Sequence, residues 1–134
     1  MTLLQDDFPL HDLSGFPLLR FRGERALPGY APQWAREMEA LLNHGQAFAV
    51  LFEQPRGEED HEDRRLRAIW LKCNKERLMR HCRGLASVEP DAQRREALQA
   101  MSEGAARAFG VPQLVAASRE EAEQGLRRWL ASTA

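Results

Sequence analysis

Reactive side chains are few in this chain, and their spacing limits the chemistry they could perform. His81 and Cys82 are neighbours in a stretch that reads as helix, and Cys73 lies nine residues before Cys82. Adjacent helical residues point about 100° apart, so His81 and Cys82 do not form a nucleophile and its base, and nine steps separate the cysteines by half a turn. Zinc sites use spacings such as C-x2-4-C or H-x3-5-H, which are missing here. We therefore expect no metal site, no catalytic thiol and no disulfide.

The remaining histidines, His11, His44 and His61, are scattered among turns and helix ends, and we expect each to be a solvated or capping residue. No Gly-x-Ser-x-Gly elbow accompanies them. No glycine-rich motif of the dinucleotide-binding or P-loop type follows a predicted strand, so the usual phosphate cradles are missing. We expect no cofactor and favour a noncatalytic role, with a small enzyme as the alternative.

The overall charge gives no attraction for polyanions. The formal net charge is −1, from 19 basic and 20 acidic residues, and 43% of the residues are hydrophobic. A nearly neutral chain has no general field for nucleic acid or an anionic membrane. No stretch approaches about 18 apolar residues, and the N-terminus lacks the pattern of a secretion signal. We expect a cytoplasmic protein that binds neither nucleic acid nor membrane.

Charge is nevertheless concentrated around one predicted helix, at residues 60–82. Segment 53–63 carries six acids, which are Glu53, Glu58, Glu59, Asp60, Glu62 and Asp63. Residues 64–83 carry eight basic side chains against the single acid Glu76. Acids at the start of a helix and bases toward its end complement the helix dipole, so a solvated face explains the pattern.

Apolar segments that alternate with turn signals predict the fold. Runs 8–13 and 16–21 flank Ser14-Gly15, which favours a hairpin, and the continuous run 47–52 is typical of a central strand. The further predicted strands are 85–88 and 111–117, and the predicted helices are 34–42, 60–82, 90–110 and 118–130. This order predicts one α/β domain over residues 1–134, frayed at 1–7 and 131–134. Its sheet is mixed, mainly parallel and five-stranded, with helices on both faces.

Three predicted helices each carry one apolar stripe and a capping signal. The stripes are Trp34, Met38, Leu41 and Leu42 before Gly45; Leu98, Met101, Ala105 and Ala108 or Phe109 before Gly110; and Ala122, Leu126, Trp129 and Leu130 after Ser118. Glycine suits the position after a helix, and serine followed three residues later by Glu121 forms a capping box. We expect each stripe to face the sheet.

Helix 60–82 differs because it carries two apolar stripes. The first consists of Leu66, Ile69, Trp70 and Cys73, and the second of Leu71, Leu78 and Cys82. Both stripes are core if the helix is broadly buried or kinks near Asn74; otherwise the surface around Trp70 is available to a partner, most simply in a symmetric homodimer. The candidate partner-binding residues are Trp70, Arg67, Asn74, Arg77, Leu66 and Ile69.

The segments GFPLLRFRGE, AFAVLFE and VPQLVAASREEAEQGLRRWL, in this element order, resemble the STAS domains, in particular their stand-alone, anti-sigma-factor-antagonist-like branch. The resemblance implies a small noncatalytic module that binds another protein, or sometimes a nucleotide or lipid, near the start of the helix after the central strand. Switching members carry a phosphorylatable Ser or Thr there. Segment 53–63 contains neither, so that switch is not expected.

A rival interpretation is a small enzyme or ligand-binding domain. Open α/β sheets bind ligands outside the carboxyl ends of their strands, and His61 or His81 could serve such a site. The candidate rim there consists of Glu53, Gln54, Glu89, Asp91, Ser118 and Arg119. Capping and solvation are the simpler explanation of these side chains. A concave site with converging polar groups and a perturbed acid or base would favour this rival, and a flat exposed apolar patch on helix 60–82 would favour a protein-binding module.

Overall fold

The computed structural model describes residues 3–53 and 60–132. Its strands are β1 (His11–Asp12), β2 (Leu18–Phe21), β3 (Phe48–Phe52), β4 (Cys82–Val88) and β5 (Gln113–Ala116). Its helices are α1 (Ala31–His44), α2 (His61–Cys73), α3 (Lys75–His81), α4 (Ala92–Phe109) and α5 (Arg119–Ala131). Among these helices, none has the length and apolar composition needed to cross a membrane.

The five strands form one mixed sheet in sequential order, β1-β2-β3-β4-β5. β1 is antiparallel to β2, and β2 to β5 are parallel to one another. The α/β class, the five-stranded sheet and the N-terminal hairpin are therefore confirmed. β3 is central, as its continuous apolar sequence predicts, and Phe48–Leu51 is fully buried.

The two faces of the sheet carry separate cores, so helices cover both. Leu19, Phe21, Phe48 and Val50 belong to the larger core, under α1 to α3. The smaller core packs against α5, and its sheet residues include Leu18, Ala49, Leu51 and Ala86. Connections between parallel strands are almost always right-handed. Because β2 to β5 are added to the sheet in one direction, the helices that connect them lie on the same face. The terminal helix α5 is left to cover the other.

The hairpin is shorter than its sequence predicts. The predicted runs 8–13 and 16–21 shrink to strands of 2 and 4 residues. Pro9 and Pro17 have no N–H for a ladder. The N–H of Leu10 donates to the Glu37 carboxylate of α1 at 3.1 Å, so it is not free to pair with β2.

Helices α1 and α5 form as predicted. All four members of the α1 stripe are buried, and Gly45 ends the helix with a φ of 85° that glycine adopts readily. Ser118 begins α5 by accepting the Glu121 N–H at 3.2 Å. Gly125 lets α5 approach β5 closely, because a Cβ there would lie 2.3 Å from the Leu114 side chain.

The structure divides the single helix predicted over residues 60–82 into two, α2 and α3. The chain leaves helical geometry at Asn74, whose φ is −115° and ψ is 19°, which fits the alternative of a kink near this residue. α3 then ends at His81, and Cys82 begins β4 instead of ending a helix. From Cys82 to Val88 the side chains alternate between buried and half-buried, which is the period of a strand. The strand is therefore longer than the predicted 85–88.

Candidate functional site

A cavity of about 520 Å³ lies between α4 and the larger core. Its sheet side includes Val50, Phe52 and Leu85, and its α4 side consists of Leu98, Met101, Ser102, Ala105 and Phe109. The lining is mainly apolar, and the volume falls in the range of about 300–1,000 Å³ that is typical of small-molecule sites. Much of the predicted α4 stripe thus lines a cavity, while α4 contacts the sheet at β5. No residue of α4 is buried.

Helix α4 is held at both ends. At its start, Asp91 accepts the Arg94 N–H at 2.9 Å, and the Arg95 guanidinium donates to the Glu89 carbonyl at 3.0 Å. At its end, Gly110 has a φ of 74°, and a Cβ there would lie 2.7 Å from Met79 of α3. Both ends of α4 are thus anchored, and the helix forms one wall of the cavity.

A buried histidine and glutamate meet on the α1 side of the cavity. His11 and Glu37 are 0% and 1% exposed, and Nδ1 of His11 lies 2.9 Å from Oε1 of Glu37. The Leu10 N–H and the Gln33 amide also donate to this carboxylate, at 3.1 and 2.8 Å. The expectation of a solvated His11 is therefore wrong. The buried side chains of Phe8 and Leu10 draw the segment around His11 onto α1.

His11 also lines the cavity. Its ring packs edge-on against Phe21 with centroids 5.4 Å apart. Nε2, its second nitrogen, is buried and has no hydrogen-bond partner among the residues described. Buried polar atoms are nearly always paired, so an orphan of this kind requires an explanation.

Two arginines on α2 give the cavity a basic wall. Arg64 and Arg67 stand one turn apart, and both line the cavity. The guanidinium carbon of Arg67 lies 5.1 Å from the ring centroid of Trp34, a cation–π distance. Trp34 is buried, so it holds this part of the wall against α1.

The six candidate partner-binding residues have divided roles. Trp70 is half-buried and packs edge-to-face on Trp34, with centroids 5.2 Å apart. Asn74 donates to the Trp70 carbonyl at 2.9 Å, and Arg77 donates to Glu39 of α1 at 2.9 Å. The others are Arg67 on the cavity wall, the half-buried Leu66 and the exposed Ile69. A role for them in partner binding stays a prediction.

None of the rim residues that the structure describes lines the cavity, and the side chains of these residues have partners within the protein. Glu53 pairs with Arg119 at 3.0 Å. Arg119 also donates to Glu123, and this hydrogen bond is the main reason that the pKa of Arg119 is raised. The buried Glu89 accepts the Asp91 N–H at 3.0 Å, and Ser118 caps α5. Gln54, Glu58 and Glu59 lie outside the described residues.

The thiols and the other histidines do not form a site together. Cys73 is exposed, Cys82 is buried beside the cavity, and both are free thiols. Burial raises the pKa of Cys82 to about 12. His61 is exposed at the start of α2, and His81 is half-buried at the end of α3. Within residues 3–53 and 60–132, no three His, Cys, Asp or Glu side chains converge as metal ligands.

Sequence reasoning missed both members of the His11–Glu37 pair. One signal was present, because Glu37 lies three residues after Trp34 and four before Leu41, inside the apolar stripe of α1. An acid at such a position is buried and must find donors. Nothing local indicated that His11, from a different element, supplies one of them.

Known proteins provide no identification. No family model matches the chain, and neither a curated protein nor a solved structure matches it. The STAS resemblance stays a prediction that depends on the order of the elements.

Proposed function

We propose that this chain is a small-molecule-binding domain whose ligand occupies the cavity under α4. The observation that carries the proposal is an apolar helix face that lines a cavity. Leu98, Met101 and Phe109 of α4 line the cavity, and Met101 remains 71% exposed. In proteins, a helix gains most of its stability by packing its apolar face. A ligand in the cavity would supply the contacts that α4 lacks.

The charge of the wall indicates the class of ligand. Guanidinium groups remain ionised at any ordinary pH and bind carboxylate, sulfonate or phosphate oxygens through paired N–H donors. Arg64 brings such a group to a lining that is otherwise mainly apolar. The ligand that fits is a small amphipathic anion, with its apolar body under α4 and its charged group toward α2.

The packing of Trp70 supports the cavity over the α2 surface as the binding site. A partner anchor has to present its ring to solvent before binding, whereas the Trp70 ring is half-buried against Trp34. The cavity is a concave site with polar side chains in its lining, which supports the ligand-binding interpretation. The proposal places the ligand in this cavity and not at the rim of the strand ends.

A fluorescence titration with 1-anilinonaphthalene-8-sulfonate, an anionic aromatic probe, tests the proposal. Ala105→Trp fills the cavity, and Ala108→Trp places the same side chain on the exposed side of the same helix. We expect Ala105→Trp to weaken binding at least about tenfold, because the indole takes the space of the probe, and Ala108→Trp to bind like the parent chain. Equal affinities for the two variants would refute the cavity as the site.

A second variant tests whether the arginine side of the cavity selects an anionic ligand. Arg64→Gln removes one charge from an exposed position. We expect it to lower the affinity for the anionic probe by several-fold and to leave the affinity for uncharged N-phenyl-1-naphthylamine unchanged. An equal loss for both probes would mean that α2 does not select an anion.

A further inference from the structure

Three neutral polar side chains also line the cavity. They are Ser87 of β4, Ser102 of α4 and Gln113 of β5. All three residues are half-buried, and within the part of the chain that the structure describes their side chains have no hydrogen-bond partner. Their hydroxyl and amide atoms nevertheless keep some accessible surface. Water or a ligand in the cavity therefore has to satisfy these groups.

The strand register places Ser87 and Gln113 on the face of the sheet that the cavity covers. Ser87 is the partner of Phe52 on β3, and Gln113 is the partner of Leu85 on β4. Phe52 and Leu85 also line the cavity, and paired residues on adjacent strands share one face of the sheet. The two polar side chains are thus part of a cavity floor whose neighbouring side chains are apolar.

The neutral groups and the arginine side of the cavity belong to different elements. Gln113 lies on β5, the edge strand of the sheet, and α4 packs against β5. Arg64 lies on α2, which contacts α1 as well as α4 and so stands toward the α1 side. A ligand that reaches both sides has its charge and a second polar group at separate positions on its body.

We infer that the ligand carries a second, uncharged hydrogen-bonding group on its apolar body, apart from its charge, and that Gln113 and Ser87 bind this group. A glutamine side chain offers two N–H donors and a carbonyl acceptor, and a serine hydroxyl both donates and accepts. A hydroxyl or an amide on the ligand matches these groups. A purely apolar ligand would displace their water and leave them unpaired, which costs free energy.

This inference rests on the proposed function, and it narrows the ligand from an amphipathic anion to one with a neutral polar group as well. Two carboxylates that differ only in that group separate the two levels. Decanoate has an apolar chain, and 10-hydroxydecanoate carries a hydroxyl at the end of the same chain.

Competition of these acids with 1-anilinonaphthalene-8-sulfonate on the whole chain measures both affinities. In a purely apolar site the hydroxyl would weaken binding, because it would lose its water without gaining a partner. We expect 10-hydroxydecanoate to bind at least as tightly as decanoate. Weaker binding of 10-hydroxydecanoate would overturn the inference and leave the cavity proposal standing. Failure of both acids to displace the probe would overturn the cavity proposal as well.

Variants of the two residues test the assignment. We expect Gln113→Leu to weaken 10-hydroxydecanoate relative to decanoate on the order of tenfold, the effect of one net buried hydrogen bond, and Ser87→Ala to act in the same direction. Gln99→Leu makes the same change at an exposed position of α4 outside the cavity and should leave the ratio of the two affinities unchanged. A ratio that stays unchanged in both Gln113→Leu and Ser87→Ala would overturn the assignment.

The side-chain amide resonances give a readout that needs no substitution in the cavity. In the ¹⁵N-labelled parent chain, we expect saturating 10-hydroxydecanoate to shift the Gln113 amide signals further than saturating decanoate does. The signals of the exposed Gln99 should stay in place with either acid. Equal shifts of the Gln113 signals with the two acids would overturn the inference.

Discussion

The carboxyl group of Glu37 is almost completely buried, so the fold depends on the donors around it. Those donors are the Leu10 N–H, the Gln33 amide and Nδ1 of His11. Glu37→Ala would leave all three without an acceptor inside the protein. We expect it to lower the free energy of unfolding by about 3–5 kcal/mol, because several donors lose their hydrogen-bond acceptor.

Glu39→Ala is the matched control for this change. Glu39 lies on the same helix, is 40% exposed at its side chain and pairs with Arg77 near the surface. Its loss should cost at most about 1 kcal/mol, because exposed ion pairs contribute little. Urea unfolding followed by tryptophan fluorescence measures both variants. Similar losses for the two would contradict the account of the buried pair.

Cys82 should show its burial through its chemistry. Its pKa is raised from 9.0 to about 12 by burial, so the folded chain holds almost no Cys82 thiolate at pH 8.5. The thiolate is the reactive form. We expect iodoacetamide to modify the exposed Cys73 and to spare Cys82 until urea unfolds the chain, as read by peptide mass spectrometry. Modification of both cysteines at similar rates in the native chain would contradict this environment.

The same pKa predicts a dependence of stability on pH. The thiol is an acid that the fold keeps neutral, so its contribution to stability is complete below pH 9. Above pH 9 the unfolded chain loses the proton first, and stability falls as the pH rises toward about 12. Cys82→Ala should remove this part of the alkaline loss.

Single residues were predictable where their environment is set by their own element. Cys82 is a small buried side chain and Ser118 is a cap, and the local sequence indicates both. The environment of His11 could not be predicted in this way, because its partner Glu37 lies 26 residues away on another element. A side chain that depends on a distant partner leaves no local pattern.

At the scale of elements, Asp63 connects two helices. It lies in the first turn of α2, is 1% exposed, and accepts the Gly29 N–H at 2.7 Å and the Ala31 N–H at 3.1 Å. These bonds satisfy backbone donors at the start of α1, where helical N–H groups have no intrahelical partner. Asp63 therefore acts as a cap for α1 that α2 supplies.

We expect Asp63→Ala to lower the free energy of unfolding by about 2–3 kcal/mol, since it removes a cap and leaves two donors unpaired. Glu62→Ala, at the exposed neighbouring position, should leave the urea midpoint nearly unchanged. If both changes have the same small effect, α2 does not hold the start of α1.

Most elements could be predicted because their signals are local. The stripes of α1 and α5 and the glycines that end α1 and α4 are legible in the sequence. The break at Asn74 and the early start of β4 were harder to predict from the sequence. Arg80 and His81 suit the last turn of a helix, while Cys82 joins β4 by pairing with Phe48 of β3, a contact that local periodicity does not report.

At the scale of the whole molecule, the alternation of strands and helices predicts the sheet but not the cavity. The periodicity of α4 shows which side of the helix turns inward, and the structure agrees with it. Periodicity carries no information on how far that side stands from the sheet. The distance is set by the anchors at the two ends of α4, near Glu89 and Met79, and these belong to other elements.

The central claim is that a ligand lies between α4 and the sheet, and intermolecular nuclear Overhauser effects measure this directly. We expect the ring protons of bound 1-anilinonaphthalene-8-sulfonate to contact methyl groups on both sides of the cavity, with Leu98 and Met101 above and Val50 and Leu85 below. Effects at saturating probe that reach the exposed Ile69 and none of these four side chains would contradict the account.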